Sequence, residues 1–222
     1  MLRRRRNVIL SLILVSLGAA RCIPVSDADW LNTDRPRAGR GIVVLLDGWM
    51  QLGSSGMHTL TTKLTDAGLN AQLYHENQWR DLSRRIRTTY LGTPHPGPLV
   101  LIGHSYGADN ALEIARRLDQ DGIAVALIVT LDPVTPPKVP ANVKRCINIY
   151  QRDTLLGPLP WFRGTALENE SLSSTVLANW DLGADRRDLR EPDTDHFSLT
   201  SNEKIHSEII ARVMETLRPT TP

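Results

Sequence analysis

Five residues near the middle of the chain have the types and spacing of an activated serine. Gly103-His104-Ser105-Tyr106-Gly107 fits the pattern G-x-S-x-G, with an apolar run before it and a helical pattern after it. In this context the serine sits on a sharp turn, where flanking glycines avoid clashes and the hydroxyl is lifted away from the sheet. The motif predicts that Ser105 is a nucleophile and that the Tyr106 N–H faces the developing negative charge. The alternative is a glycine-rich turn with a capping serine.

The body of the chain alternates between strand and helix patterns, which would hold this turn in place. Strand candidates are short apolar runs at residues 41–47, 71–75, 99–102, 123–131 and 143–150. A further short strand is expected near residues 165–167, within an otherwise polar and irregular region at 151–195. Helix candidates have apolar residues at helical spacing over residues 57–67, 79–90, 108–118 and 205–217. Continuous apolar strands are typical of a parallel sheet that helices cover on both faces. We therefore expect one α/β domain, residues 38–218, with a mostly parallel sheet flanked by helices on both faces.

With this motif in this strand–helix context, the chain resembles the α/β-hydrolase superfamily over nearly its whole body. In that superfamily the chain order is serine, then aspartate or glutamate, then histidine, each on a loop at the carboxyl end of a strand. The resemblance implies Ser105 as the nucleophile and His196, in the loop before the last helix, as the base. His206 falls inside that helix and is expected on the surface. Four further histidines precede or adjoin the serine, in the wrong order: His58, His75, His95 and His104.

Two aspartates compete for the acid position that the resemblance implies. Asp132 follows the strand at residues 123–131, and Pro133 turns the chain out of the sheet directly after it. Asp153 follows the next strand, and many members of the superfamily carry the acid there. The strand-end position and the rigid proline favour Asp132, with Asp153 as the alternative. Asp195 adjoins His196 and would have difficulty bending back onto the same ring.

The resemblance also implies an oxyanion hole with a second amide from the loop after the first strand. The superfamily usually has His-Gly there, whereas this chain has Asp47-Gly48-Trp49-Met50. Because the donor is a backbone N–H, we assign Trp49 beside Tyr106, with Met50 as the alternative. A carboxylate facing the oxyanion would oppose catalysis, so the side chain of Asp47 is expected to point away.

Together these residues imply acyl transfer to water from a small ester or thioester, without a metal or an organic cofactor. An acyltransferase with the same catalytic residues and a catalytically silent binding protein of this fold are the alternatives. The loop after Asp132 is too short for a helical lid, which suggests a minimal and relatively open site. Large apolar residues between 154 and 180 either line an acyl pocket or anchor a long loop: Leu155, Leu156, Leu159, Trp161 and Phe162.

Composition excludes several other classes of protein. The 222 residues are 41% hydrophobic and 23% charged with two cysteines, which excludes a disordered chain and a disulfide scaffold. The net charge of +2 depends on four arginines at positions 3–6, and the rest of the chain has 22 basic and 24 acidic residues. A near-neutral body provides no electrostatic case for a nucleic-acid partner. The oligomeric state is left open.

The N-terminus has the order of a secretory signal peptide. Residues 1–20 run from an arginine cluster through a short apolar stretch to Gly18-Ala19-Ala20, and residues 21–37 form a polar segment before the domain. This pattern predicts a periplasmic or secreted protein. Two alternatives would attach the protein to a membrane: cleavage before Cys22 followed by its lipidation, or an N-terminal segment that stays uncleaved and anchors through its charge and short apolar stretch. Cys146 lies in a strand pattern, where a buried free thiol is expected, and its pairing with Cys22 is left open.

Overall fold

The computed structural model of the chain describes residues 41–49, 54–94, 96–152, 164–170, 173–192 and 194–218. In these residues the strands are β1 (Ile42–Leu46), β2 (Ala71–Tyr74), β3 (Leu99–His104), β4 (Leu127–Leu131), β5 (Arg145–Tyr150) and β6 (Val176–Asp181). The α-helices are α1 (Ser54–Asp66), α2 (Trp79–Gly92), α3 (Tyr106–Asp119) and α4 (Glu203–Thr216). Short 3-10 helices at Glu76–Gln78 and Ser198–Ser201 precede α2 and α4.

The six strands form one sheet in the order β2-β1-β3-β4-β5-β6, and every neighbouring pair is parallel. The chain moves outward from β1 to β2 and then crosses back over β1 to β3. Because such crossovers are right-handed, the reversal places α1 and α2 on opposite faces of the sheet. This arrangement confirms the predicted α/β fold with a parallel sheet between layers of helices.

Each face of the sheet is buried by two helices. On one face, Met57 of α1 and Ile209 of α4 pack in a core with alternate strand residues such as Val43 and Ile102. On the other, α2 and α3 pack against each other, and α3 lies against β1, β3 and β4. Strands covered on both sides have no solvent face, which explains why they are continuous apolar runs rather than alternating patterns.

The carboxyl ends of the central strands meet at one edge of the sheet. In the parallel register, Leu46 of β1 is paired with Gly103 of β3, and His104 is paired with Leu131 of β4. The residues that directly follow these strands are Asp47, Ser105 and Asp132. The loops predicted to carry the chemistry therefore begin side by side.

The region from 151 to 195 departs from the sequence-based expectation. Residues 165–167 are irregular, so the strand predicted there is wrong, and the sixth strand is β6 at Val176–Asp181. β6 lies at the edge of the sheet, where Val176 is 64% exposed and the next four residues are half-buried. A half-covered strand does not need a continuous apolar sequence, and this explains why it was not recognised.

Two smaller predictions also need correction. The strand predicted over residues 123–131 is regular only from Leu127, although Val125 forms an isolated bridge to Val143. His206 is buried rather than on the surface, with Nε2 donating to the Thr200 carbonyl at 2.6 Å. Nδ1 of the same ring lies 3.3 Å from the Lys63 ammonium. This histidine connects α4 to α1 and to the turn that precedes α4.

Several predictions fall outside the described residues. These are the signal peptide at residues 1–20, the segment at 21–37, Cys22, and the apolar residues between 154 and 163. Export or lipidation therefore stays a prediction. Among the described residues, no helix combines the length and the apolar character that crossing a bilayer requires. Cys146 is a buried free thiol, and burial raises its pKa to about 12.

Candidate active site

The serine turn has the strained geometry expected for a nucleophile between a strand and a helix. Ser105 has φ 55° and ψ −126°, a conformation that residues other than glycine rarely adopt. Its N–H donates to the carbonyl of Leu131 at 2.9 Å, which ties the turn to the end of β4. A β-carbon on Gly103 would lie 2.3 Å from the carbonyl oxygen of Gly107. The turn can therefore close only because this position has no side chain.

The imidazole of His196 lies directly against the serine. Its Nε2 is 3.0 Å from Oγ of Ser105, and the ring is buried. Asp195 stabilises this loop, because its Oδ1 accepts the N–H groups of Phe197 and Ser198 at 2.9 and 2.7 Å. The carboxylate of Asp195 thus caps the following turn, in agreement with the expectation that it does not serve the neighbouring ring.

Asp132 lies on the other side of the same ring. Its Oδ2 is 3.3 Å from Nδ1 of His196, and its Oδ1 accepts the N–H of Gln151 at 2.8 Å. Because a carboxylate only accepts, Nδ1 of His196 carries the proton, and Nε2 is left to accept from the serine hydroxyl. The structure thus brings together the three residues predicted for catalysis. Asp153, the alternative acid, lies outside the described residues.

The carboxyl group of Asp132 is fully buried and tightly enclosed. Burial raises its pKa, while the hydrogen bonds from His196 and from the Gln151 amide oppose that shift. A β-carbon on Gly164 would lie 2.3 Å from Oδ1 of Asp132, so only glycine allows the chain to pass over the carboxyl group there. Asp132 has φ 45°, a second backbone conformation that is rare for residues other than glycine.

A polar ladder inside the sheet holds the segment that carries Gly164. The hydroxyl of Thr130 donates to Asn148 Oδ1 at 2.9 Å, and Asn148 Nδ2 donates to Asn179 Oδ1 and to the Thr165 carbonyl, both at 2.9 Å. Asn179 then exchanges two hydrogen bonds with the backbone of Leu167, at 2.8 and 3.0 Å. Buried amides with partners fix a single arrangement. The ladder therefore keeps this segment pressed against Asp132.

Asp109, one helical turn after Ser105, holds the loop that follows Asp132. Its two carboxyl oxygens accept the N–H groups of Val134 and Thr135 at 3.1 and 2.9 Å, and the Thr135 hydroxyl at 3.2 Å. Burial raises its pKa to about 6 despite these three hydrogen bonds. The nucleophile helix and the acid loop are thus connected by one carboxyl group.

The raised pKa of Asp109 predicts a pH dependence of stability. Between about pH 4 and 6 the folded protein holds this proton more tightly than the unfolded chain, so the ionised group destabilises the fold as pH rises. We expect Asp109→Asn to have an unfolding free energy, relative to the parent protein, that is about 1 kcal/mol higher at pH 7.5 than at pH 5. Urea titrations at both pH values measure it. Asp119→Asn, exposed on the same helix, is the control, and an equal change at both pH values would contradict the assignment.

The loop after β1 lies close to the serine. A β-carbon on Gly48 would lie 3.1 Å from Cβ of Ser105. The N–H of Asp47 donates to the Tyr74 carbonyl, and the N–H of Gly48 donates to Oδ1 of Asp47, both at 2.9 Å. The first two amides of this loop are therefore committed, and Trp49 provides the next one. Met50, the alternative, lies outside the described residues.

The side chain of Asp47 is buried rather than solvated. Its Oδ1 accepts the N–H of Gly48, while its Oδ2 has no hydrogen-bond partner in the described part of the chain. Burial raises the pKa of this carboxyl group, and the bond from Gly48 partly opposes the shift. The carboxyl group of Asp47 thus turns back onto the amide of the residue that follows it.

Sequence analysis missed three residues that shape this site. Asp109 has the i, i+4 spacing from Ser105 that places two residues on one helix face, but the contact to residues 134–135 depends on the fold. His104 belongs to the serine motif and was excluded by its position in the chain order. Gly164 had no recognisable signal, because its approach to Asp132 joins distant segments. Among the described residues, no cluster of three or more His, Cys, Asp or Glu side chains has a geometry suited to a metal ion.

Comparison with known protein families finds a matching family model. The family model described as "Thioesterase domain" matches residues 58–177, more than half of the chain. This range includes Ser105 and Asp132 and ends before His196. A search of curated proteins finds no match.

Three solved structures that this chain is similar to are distant from it in sequence. The NocB thioesterase domain, bound covalently to a fluorophosphonate nocardicin G analog, is 16% identical, with a TM-score of 0.49 over 81% of this chain and 97% of that one. RedJ thioesterase from the prodiginine pathway of Streptomyces coelicolor is 11% identical, with a TM-score of 0.48 over 82% and 87%. YbtT, a type II thioesterase from the yersiniabactin pathway, is 12% identical, with a TM-score of 0.45 over 82% and 96%.

Proposed function

We propose that this chain, which belongs to the thioesterase domain family of the α/β-hydrolase superfamily, hydrolyses acyl thioesters through a covalent acyl-enzyme on Ser105. The observation that carries the proposal is the position of the His196 imidazole. One nitrogen faces the serine hydroxyl at 3.0 Å and the other faces the Asp132 carboxyl at 3.3 Å. Membership in the family supports a thioester over the oxygen ester that the sequence left equally open.

In the first half of the proposed reaction, the serine attacks the thioester carbonyl. His196 Nε2 takes the proton from Oγ of Ser105 as the bond between Oγ and the carbonyl carbon forms. The carbon–sulfur bond then breaks, and the imidazolium returns that proton to the departing thiolate. A positioned base of this kind typically contributes 10² to 10⁴-fold in rate. The products at this point are a free thiol and an acyl group on the serine.

In the second half, water takes the place of the thiol. His196 removes a proton from the water as it attacks the acyl carbon, and then donates this proton to Oγ of Ser105 as the ester bond breaks. Asp132 accepts from Nδ1 throughout, which keeps the ring in the productive tautomer and stabilises the imidazolium. The carboxylic acid leaves, and the enzyme returns to its starting state without a cofactor.

The proposed oxyanion hole consists of the backbone amides of Trp49 and Tyr106. Tyr106 is the first residue of α3, where N–H groups have no partner within the helix and the helix dipole is positive. One such donor typically lowers the barrier by about 3 kcal/mol. Trp49 is 58% exposed and Tyr106 36%, so both side chains are accessible to a substrate.

Two measurements on one variant test the function. We expect the protein to release free thiol from acyl thioesters of N-acetylcysteamine and to be labelled at Ser105 by a fluorophosphonate. Ser105→Ala should remove both activities, because the proposed acyl-enzyme cannot form. Ser207→Ala, at an exposed serine of α4, is the matched control and should retain both. Labelling or turnover that persists in Ser105→Ala would overturn the proposal.

A further inference from the structure

We propose that His104, a residue without a part in the proton transfers, positions His196 for catalysis, an inference that rests on the proposed function. His104 is the last residue of β3 and is fully buried. Its Nε2 lies 2.8 Å from the backbone carbonyl oxygen of His196. This hydrogen bond joins the strand that carries the serine to the loop that carries the base, which is 92 residues away.

The chemistry of this contact sets the tautomer of His104. A carbonyl oxygen only accepts, so Nε2 of His104 must carry the proton and donate it. Its Nδ1 is then an acceptor, with no hydrogen-bond partner among the described residues. A β-carbon on Gly48 would lie 3.1 Å from this Nδ1. The ring of His104 therefore lies between the loop of the base and the loop after β1.

A ring in this place must not carry a charge while the reaction runs. The rings of His104 and His196 have centroids 4.9 Å apart, and the proposed mechanism forms an imidazolium on His196. Burial and the nearby His196 lower the pKa of His104 to about 3. A neutral His104 can hold the backbone of its neighbour without repelling the charge that forms there.

The hydrogen bond from His104 affects the position of His196 rather than the binding of the substrate. The His196 side chain reaches Ser105 on one side and Asp132 on the other, so a small shift of its backbone lengthens both hydrogen bonds. A misplacement of 1 Å at a catalytic group can reduce the rate about 100-fold. Losing the donor of His104 should therefore lower kcat and leave KM almost unchanged.

Two amide variants separate this role from simple packing. The side-chain NH2 of His104→Gln falls near the position of Nε2, whereas that of His104→Asn falls near Nδ1 and cannot reach the carbonyl. We expect His104→Gln to keep kcat for thioester hydrolysis within about 3-fold, and His104→Asn to lose at least about 10-fold. KM should stay within about 2-fold in both. Fluorophosphonate labelling of Ser105 should slow in the same order.

Stability measurements and further variants distinguish positioning of His196 from space-filling by His104. If His104 only fills space, the loss of kcat will follow the loss of melting temperature across the variants, and the inference fails. Should His104→Asn not fold, His104→Met provides a second variant of similar size without the donor, and equal kcat in Met and Gln would again overturn it. His58→Asn, at an exposed histidine, is the control. Failure of Ser105→Ala to remove activity would instead refute the proposed function itself.

Discussion

Asp132→Asn should lower kcat for thioester hydrolysis about 10⁴-fold and leave the fold intact. In the variant, the amide oxygen can still accept the Gln151 N–H, so the NH2 group faces Nδ1 of His196. An NH2 group donates there and forces the proton of the imidazole onto Nε2, which then cannot accept from the serine. Asparagine also tolerates the positive φ of this position.

The same measurement decides between the two aspartates. Single-turnover kinetics on Asp132→Asn and Asp153→Asn, with melting temperatures for both, separate a loss of chemistry from a loss of fold. We expect Asp153→Asn to stay within about 10-fold of the parent, because no step of the proposed mechanism uses that carboxylate. The reverse order of effects would move the acid to the loop after β5.

Gly107→Ala should cause a large loss of stability. A β-carbon at this position would lie 2.3 Å from the carbonyl oxygen of Asp47 and 2.5 Å from that of Leu46. Both atoms belong to the backbone at the end of β1, so no side-chain rotation relieves the clash. We expect a loss of about 3 kcal/mol in the free energy of unfolding, at the upper end for overpacked sites.

The substitution should also reduce activity, because the N-terminus of α3 must move away from the loop that carries Trp49. Urea denaturation measures the stability, and labelling by a fluorophosphonate measures the site in the folded fraction. Gly92→Ala is the matched control, since its β-carbon would have no atom within 4 Å from the described residues outside its own helix and chain neighbours. A glycine in a helix is generally replaced by alanine with a small gain. Equal stability changes in the two variants would contradict the close approach at Gly107.

The loop between Asp132 and β5 lies within the described residues, and its structure bears on whether a helical lid follows the acid. Between Asp132 and β5 the described chain contains loops and isolated bridges without a helix. The carboxyl group of Asp109 holds the start of this loop, and Arg116 donates to the Lys138 carbonyl at 3.1 Å near its middle. The sequence-based expectation of no helical lid in this loop is thus confirmed for the described residues.

The amino-acid sequence by itself determined the parts of this protein that depend on neighbours in the chain. The runs at β1, β3, β4 and β5 are mostly apolar because both sheet faces are covered, and that constraint is visible in a short window. The turn around Ser105 is also determined by neighbouring residues, since Gly103 and Gly107 are needed within a few residues of the serine. Fold class and the serine motif could therefore be predicted without coordinates.

Tertiary structure alone decided the features that join distant segments. The strand β6 at the sheet edge carries a mixed sequence because most of its residues are only half-buried, and no local pattern separates it from a loop. The burial of His206, the passage of Gly164 over Asp132 and the bond from His104 to His196 each join residues that are far apart in the chain. Such contacts depend on how the helices and loops pack, and the residues next to each position in the sequence do not indicate them.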